Sequence, residues 1–281
     1  MNLHKQILGY SLFIIFSLHI KAQNINSFYF ETNMANNLAK AGKIDSAITV
    51  YEDAFKKVGY VNIIYLRKIV EISKLNKDKG RVRSYSKRIK SQRKGTNSEL
   101  KSTIDSLIKI DQKVRKNKYR KSLKYYDDND IVFNQRFYKL KKHRVITDSS
   151  NKFELTKLLI ENNFIGEELV GTMRYHAVIT MLLHFNGDTS IVNLYPILKK
   201  GLVDGKLQPI HFAECVDKYS LFYNKMQKYW TLPYIGKEKL SFTESDFLPT
   251  IKLRESIGIY DSKFWQEKKR KYWLLRNKYN F

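Results

Sequence analysis

Leu38-Ala39-Lys40-Ala41-Gly42-Lys43-Ile44-Asp45-Ser46-Ala47-Ile48, followed by Tyr51 and Ala54, is the stretch that decides the fold. It reads as two helices meeting at a tight turn. Met34, Ala35 and Leu38 mark the inner face of the first helix, and Ala47, Tyr51, Ala54 and Phe55 the facing side of the second. Small Ala35 and Ala47 let the two backbones approach closely, Tyr51 fills the groove between them, and Gly42 supplies the turn. A single hairpin cannot bury its own apolar face, so further helices must stack on it.

Residue by residue, this run resembles a tetratricopeptide repeat. The resemblance implies stacked helical hairpins. The next two helices, about 62–75 and 79–89, continue the stack as a degenerate unit: Ile69 and Ile72 keep inward places, while larger or charged residues such as Arg81 replace the small ones of the repeat. Gln92-Arg93-Lys94-Gly95 forms a polar linker. The chain therefore divides into a leader (1–23), a tetratricopeptide-like helical region (24–95) and a second helical domain (96–281).

The leader has its own signature. His4 and Lys5 precede an apolar run, Ile7 to Leu18, and a polar exit ends in Ala22-Gln23, the pattern of a signal peptide cleaved after a small residue. The run is shorter than the ~20 residues that span a bilayer. The expected setting is therefore export, to the periplasm or the exterior. The one cysteine, Cys215, has no intramolecular disulfide partner, so an exported chain must rely on apolar packing.

The formal charge of +25 draws the protein toward anionic partners, an anionic polysaccharide or lipid surface among them. Its 39 Lys against 13 Arg argue against specific nucleic-acid reading, which leans on bidentate Arg. The densest charge lies from Lys79 to Lys124, with 17 basic residues against Glu99, Asp105 and Asp111. It reads as solvated helix faces or as a docking surface.

Apolar spacing of three to four continues to the C-terminus, and no segment alternates at period two, so the fold class is all-α. Thr96 with Glu99 suggests a capping box for a helix whose stripe is Leu100, Ile104, Leu107, Ile108 and Val114. An acidic turn at Asp127-Asp128-Asn129-Asp130 and a basic run from Lys139 to Arg144 follow. Asp148 then reads as the N-cap of a helix carrying Phe153, Leu155, Leu158, Leu159 and Ile160 and closed by Asn162-Asn163. Later helices are expected at 173–185, 194–203, 209–225, 247–256 and 262–278. Pro196 should kink its helix unless it lies in the first turn, Gly258 is a C-cap, and Asp261 caps the last helix.

Polar residues punctuate this region: Asp111-Gln112 with Arg115, Asp148 with Asn151, Gly171, His184, Asp217 and Gln227. The arrangement resembles an uncharacterised bacterial domain family of unknown function, often exported and sometimes preceded by tetratricopeptide-like helices. The match runs from about Leu107 to Tyr260. The family's marks are an Asp-Gln-x-x-Arg helix, an Asp-x-x-Asn helix start leading to a Gly, a Gln-His pair, and an Asp-Arg pair followed by a Gln and an aromatic-Gly-Thr-Gln segment. This chain has Leu183 in place of the Gln before His184, Lys218 in place of the Arg after Asp217, and Tyr229-Trp230-Thr231-Leu232 in place of the last segment. The resemblance implies a helical fold and an exported setting, and no activity.

For chemistry, Asp111, Gln112, Arg115, Asp148, Asn151, His184, Asp217 and Gln227 form the candidate polar site. His184 reads either as a core histidine or as a general base whose tautomer Asp111 or Asp217 would hold. His176 and His184 are eight apart, about 12 Å along a helix, too far for one metal. His211 and Cys215 stand four apart but have no third group to orient them. No phosphate loop, zinc-helix motif or nucleophile elbow occurs, so no cofactor or metal is expected. Tyr229-Trp230 and Trp265 with Tyr272-Trp273 suit a buried stripe or a stacking surface. Two functions remain: an exported helical interaction protein of the cell envelope that binds a protein or peptide partner, or a hydrolase of unknown substrate built around His184.

Overall fold

The computed structural model describes residues 25, 27–115, 131–185, 190–223, 227–231 and 244–260, all of whose regular structure is α-helical. Helix α1 covers residues 27–40. The helices that follow it to the middle of the chain are α2 (Ile44–Lys56), α3 (Ile63–Leu75), α4 (Lys79–Gln92) and α5 (Ser98–Arg115). After these come α6 (Ile131–Glu161), α7 (Glu167–Val170), α8 (Thr172–Leu183), α9 (Ser190–Val203), α10 (Pro209–Phe222) and α11 (Glu244–Ser256).

Helices α1 and α2 form the hairpin read from the sequence. Ala35, Ala47, Tyr51 and Ala54 are all fully buried, and the Tyr51 hydroxyl donates to Asn36 Oδ1 across the groove at 2.8 Å. Met34 points outward instead, 38% exposed, one helical turn from Phe30 at 54%. Gly42 holds the turn at φ +76° with open space where a Cβ would stand. Gly42→Ala therefore meets no clash and should cost only the left-handed backbone penalty, about 1–2 kcal/mol, readable as a shift of the urea midpoint.

Helix α3 packs on α4, and Leu66, Ile69 and Ile72 join the first core with Phe28, Tyr51 and Phe55. Arg81 is held where α4 faces α2. Its guanidinium reaches Glu52 at 2.9 Å and Asp78 at 2.6 Å, and the Tyr85 hydroxyl donates to the same Glu52. The opposite side of α4 is different. Lys79, Arg83, Lys87 and Lys90 are exposed on a helix with no acidic residue, and each like-charge neighbour at three or four residues costs a few tenths of a kcal/mol.

A second core gathers α5 to α11, with Leu100, Ile104, Leu155, Leu159, Tyr175, Leu198 and Phe212 at its centre. Here the structure corrects two expected caps. Asn97, rather than Thr96, caps α5, its Oδ1 accepting from Leu100 N at 2.9 Å; Thr96 bonds the Glu168 carbonyl through both its N–H and its hydroxyl. Asp148 is no N-cap at all, because α6 runs through it without a break from Ile131. Along the C-terminal half of α6, Leu155 and Leu159 are buried, whereas Phe153 (70%) and Ile160 (56%) face outward. Pro196 lies inside α9 and not in its first turn, and Gly258, at φ +88°, follows the end of α11. The acidic turn at 127–130 and the final helix with Asp261, Trp265, Tyr272 and Trp273 lie outside the described residues.

The two cores are joined by buried polar contacts. Glu167, 2% exposed, accepts from the Tyr60 hydroxyl at 3.1 Å and from the N–H of Ile63, the first residue of α3, at 3.0 Å. Asn62 Nδ2 donates to the Gly205 carbonyl at 3.2 Å. The linker at 92–95 is docked: Gly95 and Gly171, both at positive φ, meet back to back, and a Cβ on Gly171 would lie 2.3 Å from the Arg93 carbonyl. Finally Tyr260, just past α11, returns to the first core and sets its ring edge-on to Phe30.

Candidate functional site

The stripe of α5 is buried at Leu100, Ile104, Leu107 and then Asp111, so a carboxylate takes the place of the next apolar residue. The inner face of α6 turns polar in the same way, from Leu159 and Leu155 through Asn151 to Asp148 and Arg144. The two helices are antiparallel: Asn151 faces the Leu107 carbonyl and Asp148 faces Arg115. The polar end of α5 therefore meets the polar middle of α6. Helix α8 runs beside α5 in the same direction, with Arg174 paired to Asp105 near its start and His184 brought to Asp111 at its end.

Six side chains meet there. Asp111 Oδ1 accepts from Arg115 Nη1 at 2.6 Å and lies 3.1 Å from His184 Nδ1, and its Oδ2 accepts from Gln112 Nε2 at 3.0 Å. Arg115 extends its other nitrogen, Nη2, to Asp148 Oδ1 at 2.6 Å, and Arg144 approaches Asp148 at 3.5 Å. Two carboxylates thus face two guanidiniums. Burial alone would raise the Asp111 carboxyl, but the His184 bond and charge, then the Arg115 charge and the Gln112 amide, hold it below the usual carboxylate range.

The chemistry of His184 follows from that bond. A carboxylate at Nδ1 selects the tautomer with the proton on Nδ1, which leaves the lone pair on Nε2. Among the described residues Nε2 has no hydrogen-bond partner, and the side chain keeps 27% of its surface in solvent. It can accept a proton from water or from a hydroxyl.

Asn151, 4% exposed, adjoins the cluster, and its Nδ2 contacts the Leu107 carbonyl at a long 3.5 Å. Asp217 belongs elsewhere. Fully buried on α10, it accepts from Tyr229 N at 2.8 Å through Oδ1 and from Thr231 N and Oγ1 at 2.7 Å through Oδ2. Arg254 donates to the Tyr229 carbonyl in the same unit, in which Gln227 and Tyr229 are also buried. Asp217 therefore organises the 227–231 segment, in which Gln227 lies buried, and does not orient His184.

The other pairs considered resolve differently. Cys215 is fully buried, and burial first, then Glu214, pushes its thiol up to about 12, so it carries no thiolate at neutral pH. His211 is taken by Tyr175, whose hydroxyl lies 2.8 Å from Nδ1 and accepts from Gln208 N at 3.1 Å. Among the described residues no group of three or more His, Cys, Asp or Glu is placed to hold a metal. No described helix is long and apolar enough to cross a membrane.

Comparison with family models, curated proteins and solved structures finds no match to this chain.

Burial first, then nearby His176, lowers His211 to about 4. The unfolded chain takes up this proton near pH 6.5 and the folded chain does not, so stability present above that value is lost as pH falls toward 4. His211→Gln, which keeps an acceptor for Tyr175, should flatten that limb in urea melts at pH 6.5 and pH 4.5; an unchanged limb would assign it to other groups.

Proposed function

We propose that the protein is a hydrolase in which His184 is the general base and water the nucleophile. The reading rests on the Asp111–His184 bond, which leaves Nε2 without a partner among the described residues, in a partly exposed side chain near the C-terminal ends of α5 and α8. In the reaction, Nε2 takes a proton from water as its oxygen bonds the electrophilic carbonyl carbon or phosphorus of a small polar substrate. The imidazolium then returns the proton to the departing group. Asp111 orients the ring, Gln112 and Arg115 hold Asp111, and Asp148 holds Arg115. The leader supports an exported setting, periplasmic or extracellular.

A panel of chromogenic acyl esters, amides and phosphate esters tests this. Turnover of at least one class is expected, falling about 10²–10⁴-fold in His184→Gln with the fold retained. No turnover by the folded wild-type protein on any class sinks the proposal.

One observation favours a second reading, an interaction protein that holds a peptide. A groove of about 340 Å³ runs along α1, lined by Phe30, Asn33, Met34, Asn37, Leu38, Ala41 and Lys43. Exposed Phe30 and Met34 stand one turn apart, as apolar anchors for a peptide do. Phe30→Asp with Met34→Asp should abolish capture of such a partner and leave His184-dependent turnover intact.

A further inference from the structure

Helix α4 carries a column of cations that neither the fold nor the His184 site uses. Lys79, Arg83, Lys87 and Lys90 are spaced four, four and three residues apart, so at 100° per residue they share one face within 80°. That face lies opposite Ile89, Tyr85 and Arg81, which turn toward the first core and its acidic partners. All four are exposed, and among the described residues none of them is in an ion pair.

Elsewhere several surface cations have an acidic partner three or four residues away: Lys56 with Asp53, Lys68 with Glu71, Lys157 with Glu161, Lys200 with Asp204. Helix α4 contains no acidic residue, so its column repels itself and weakens the helix. An arrangement that opposes folding and leaves its charges open suits an external anion.

We propose that this face of α4 binds a linear anionic polysaccharide. The charges follow a single line with steps of about 6, 6 and 4.5 Å, comparable to the length of one sugar unit, over about 16 Å. A bilayer surface calls for apolar side chains beside the charges, and the large exposed apolar residues include none from α4. Single-stranded nucleic acid calls for stacking aromatics. The one aromatic of the helix, Tyr85, is turned inward with its hydroxyl on Glu52.

The test uses the full chain and polygalacturonate as the probe. Lys79, Arg83, Lys87 and Lys90 are replaced together by Gln. A control variant loses the same charge at exposed Lys40, Lys74, Lys199 and Lys252. The wild type should bind at ~50 mM salt, with affinity falling steeply as salt rises. The α4 variant should lose at least about tenfold in affinity and lower the log–log salt slope by about 2–3, while the control keeps most of both. Its melting temperature should be equal to or above that of the wild type, because repulsion has been removed. Equal losses in the two variants would assign binding to net charge and overturn the proposal, as would no binding at low salt. Tighter binding to phosphatidylglycerol vesicles or to duplex DNA through the same four residues would overturn the choice of partner.

Discussion

Asp111→Ala should destabilise the protein by about 3–5 kcal/mol, the cost typical of removing one partner from a buried ion pair. Asp111 is 1% exposed and takes hydrogen bonds from Arg115 and Gln112 and the contact from His184. Its loss leaves the guanidinium of Arg115, 16% exposed, half neutralised and the Nδ1–H of His184 without an acceptor. At about 2–4 °C per kcal/mol for a chain of this size, the melting temperature falls by roughly 10 °C. Asp111→Asn should cost less, since its Oδ1 can still accept from His184. The folded carboxyl is held low, so its contribution is complete above the unfolded value near pH 3.9 and vanishes as pH drops through the folded one. The deficit of both variants against the wild type should therefore shrink as pH drops through that folded value. This window is distinct from the His211 limb at higher pH. A melting temperature within a degree of the wild type at pH 7 would mean that the carboxylate does not tie α5 to its neighbours.

Glu167→Ala should cost about 3 kcal/mol and change the form of the unfolding transition. It strips the partner from the part-buried Tyr60 hydroxyl and from the buried Ile63 N–H, and an unsatisfied buried donor costs about 1–3 kcal/mol. Burial and the Glu167 charge together hold the Tyr60 phenol well above its usual range, so it stays a donor at any pH of interest. Because Glu167 is shared between the cores, the first should melt ahead of the second in the variant. Calorimetry should then show two transitions where the wild type shows one. Glu167→Gln, which retains an acceptor oxygen, should keep most of the coupling. A single transition in the alanine variant, unshifted, would place the joint in Asn62 and the two facing glycines.

The hairpin from Leu38 to Ala54 was legible because small residues and a turn glycine at fixed spacing have few other uses. Asp111, Gln112, Arg115, Asp148 and His184 stood out as polar residues in an apolar pattern, while Arg144 did not, and Asp217 and Gln227 lie elsewhere. Asp111 falls at the next inward place after Leu100, Ile104 and Leu107, a signal that periodicity alone could have flagged as a buried carboxylate. Asp148 misled because an Asp before an apolar run is a strong cap, and only the partner, Arg115, shows that it belongs inside a longer helix. Asp217 was grouped with His184 on residue type, yet local backbone N–H groups of 229–231 claim both its oxygens. Phe153 and Ile160 belong to the same apolar run as Leu155 and Leu159, which on hydrophobicity alone would place them inward. Their angular positions on α6, away from Leu155 and Leu159, decide otherwise. Glu167 gave no signal, since its partners lie about a hundred residues away in sequence.

That separation shapes how the molecule can assemble during synthesis. The first hairpins, residues 27–92, leave the ribosome with the N-terminus of α3 uncapped, and the carboxylate that completes it follows 104 residues later. At 5–20 residues per second the wait is about 5–20 s, long compared with the sub-millisecond formation of helices and hairpins. The contact of Tyr260 with Phe30 adds a still later closure. The N-terminal unit thus gains its Glu167 and Tyr260 contacts only long after its own core residues have emerged.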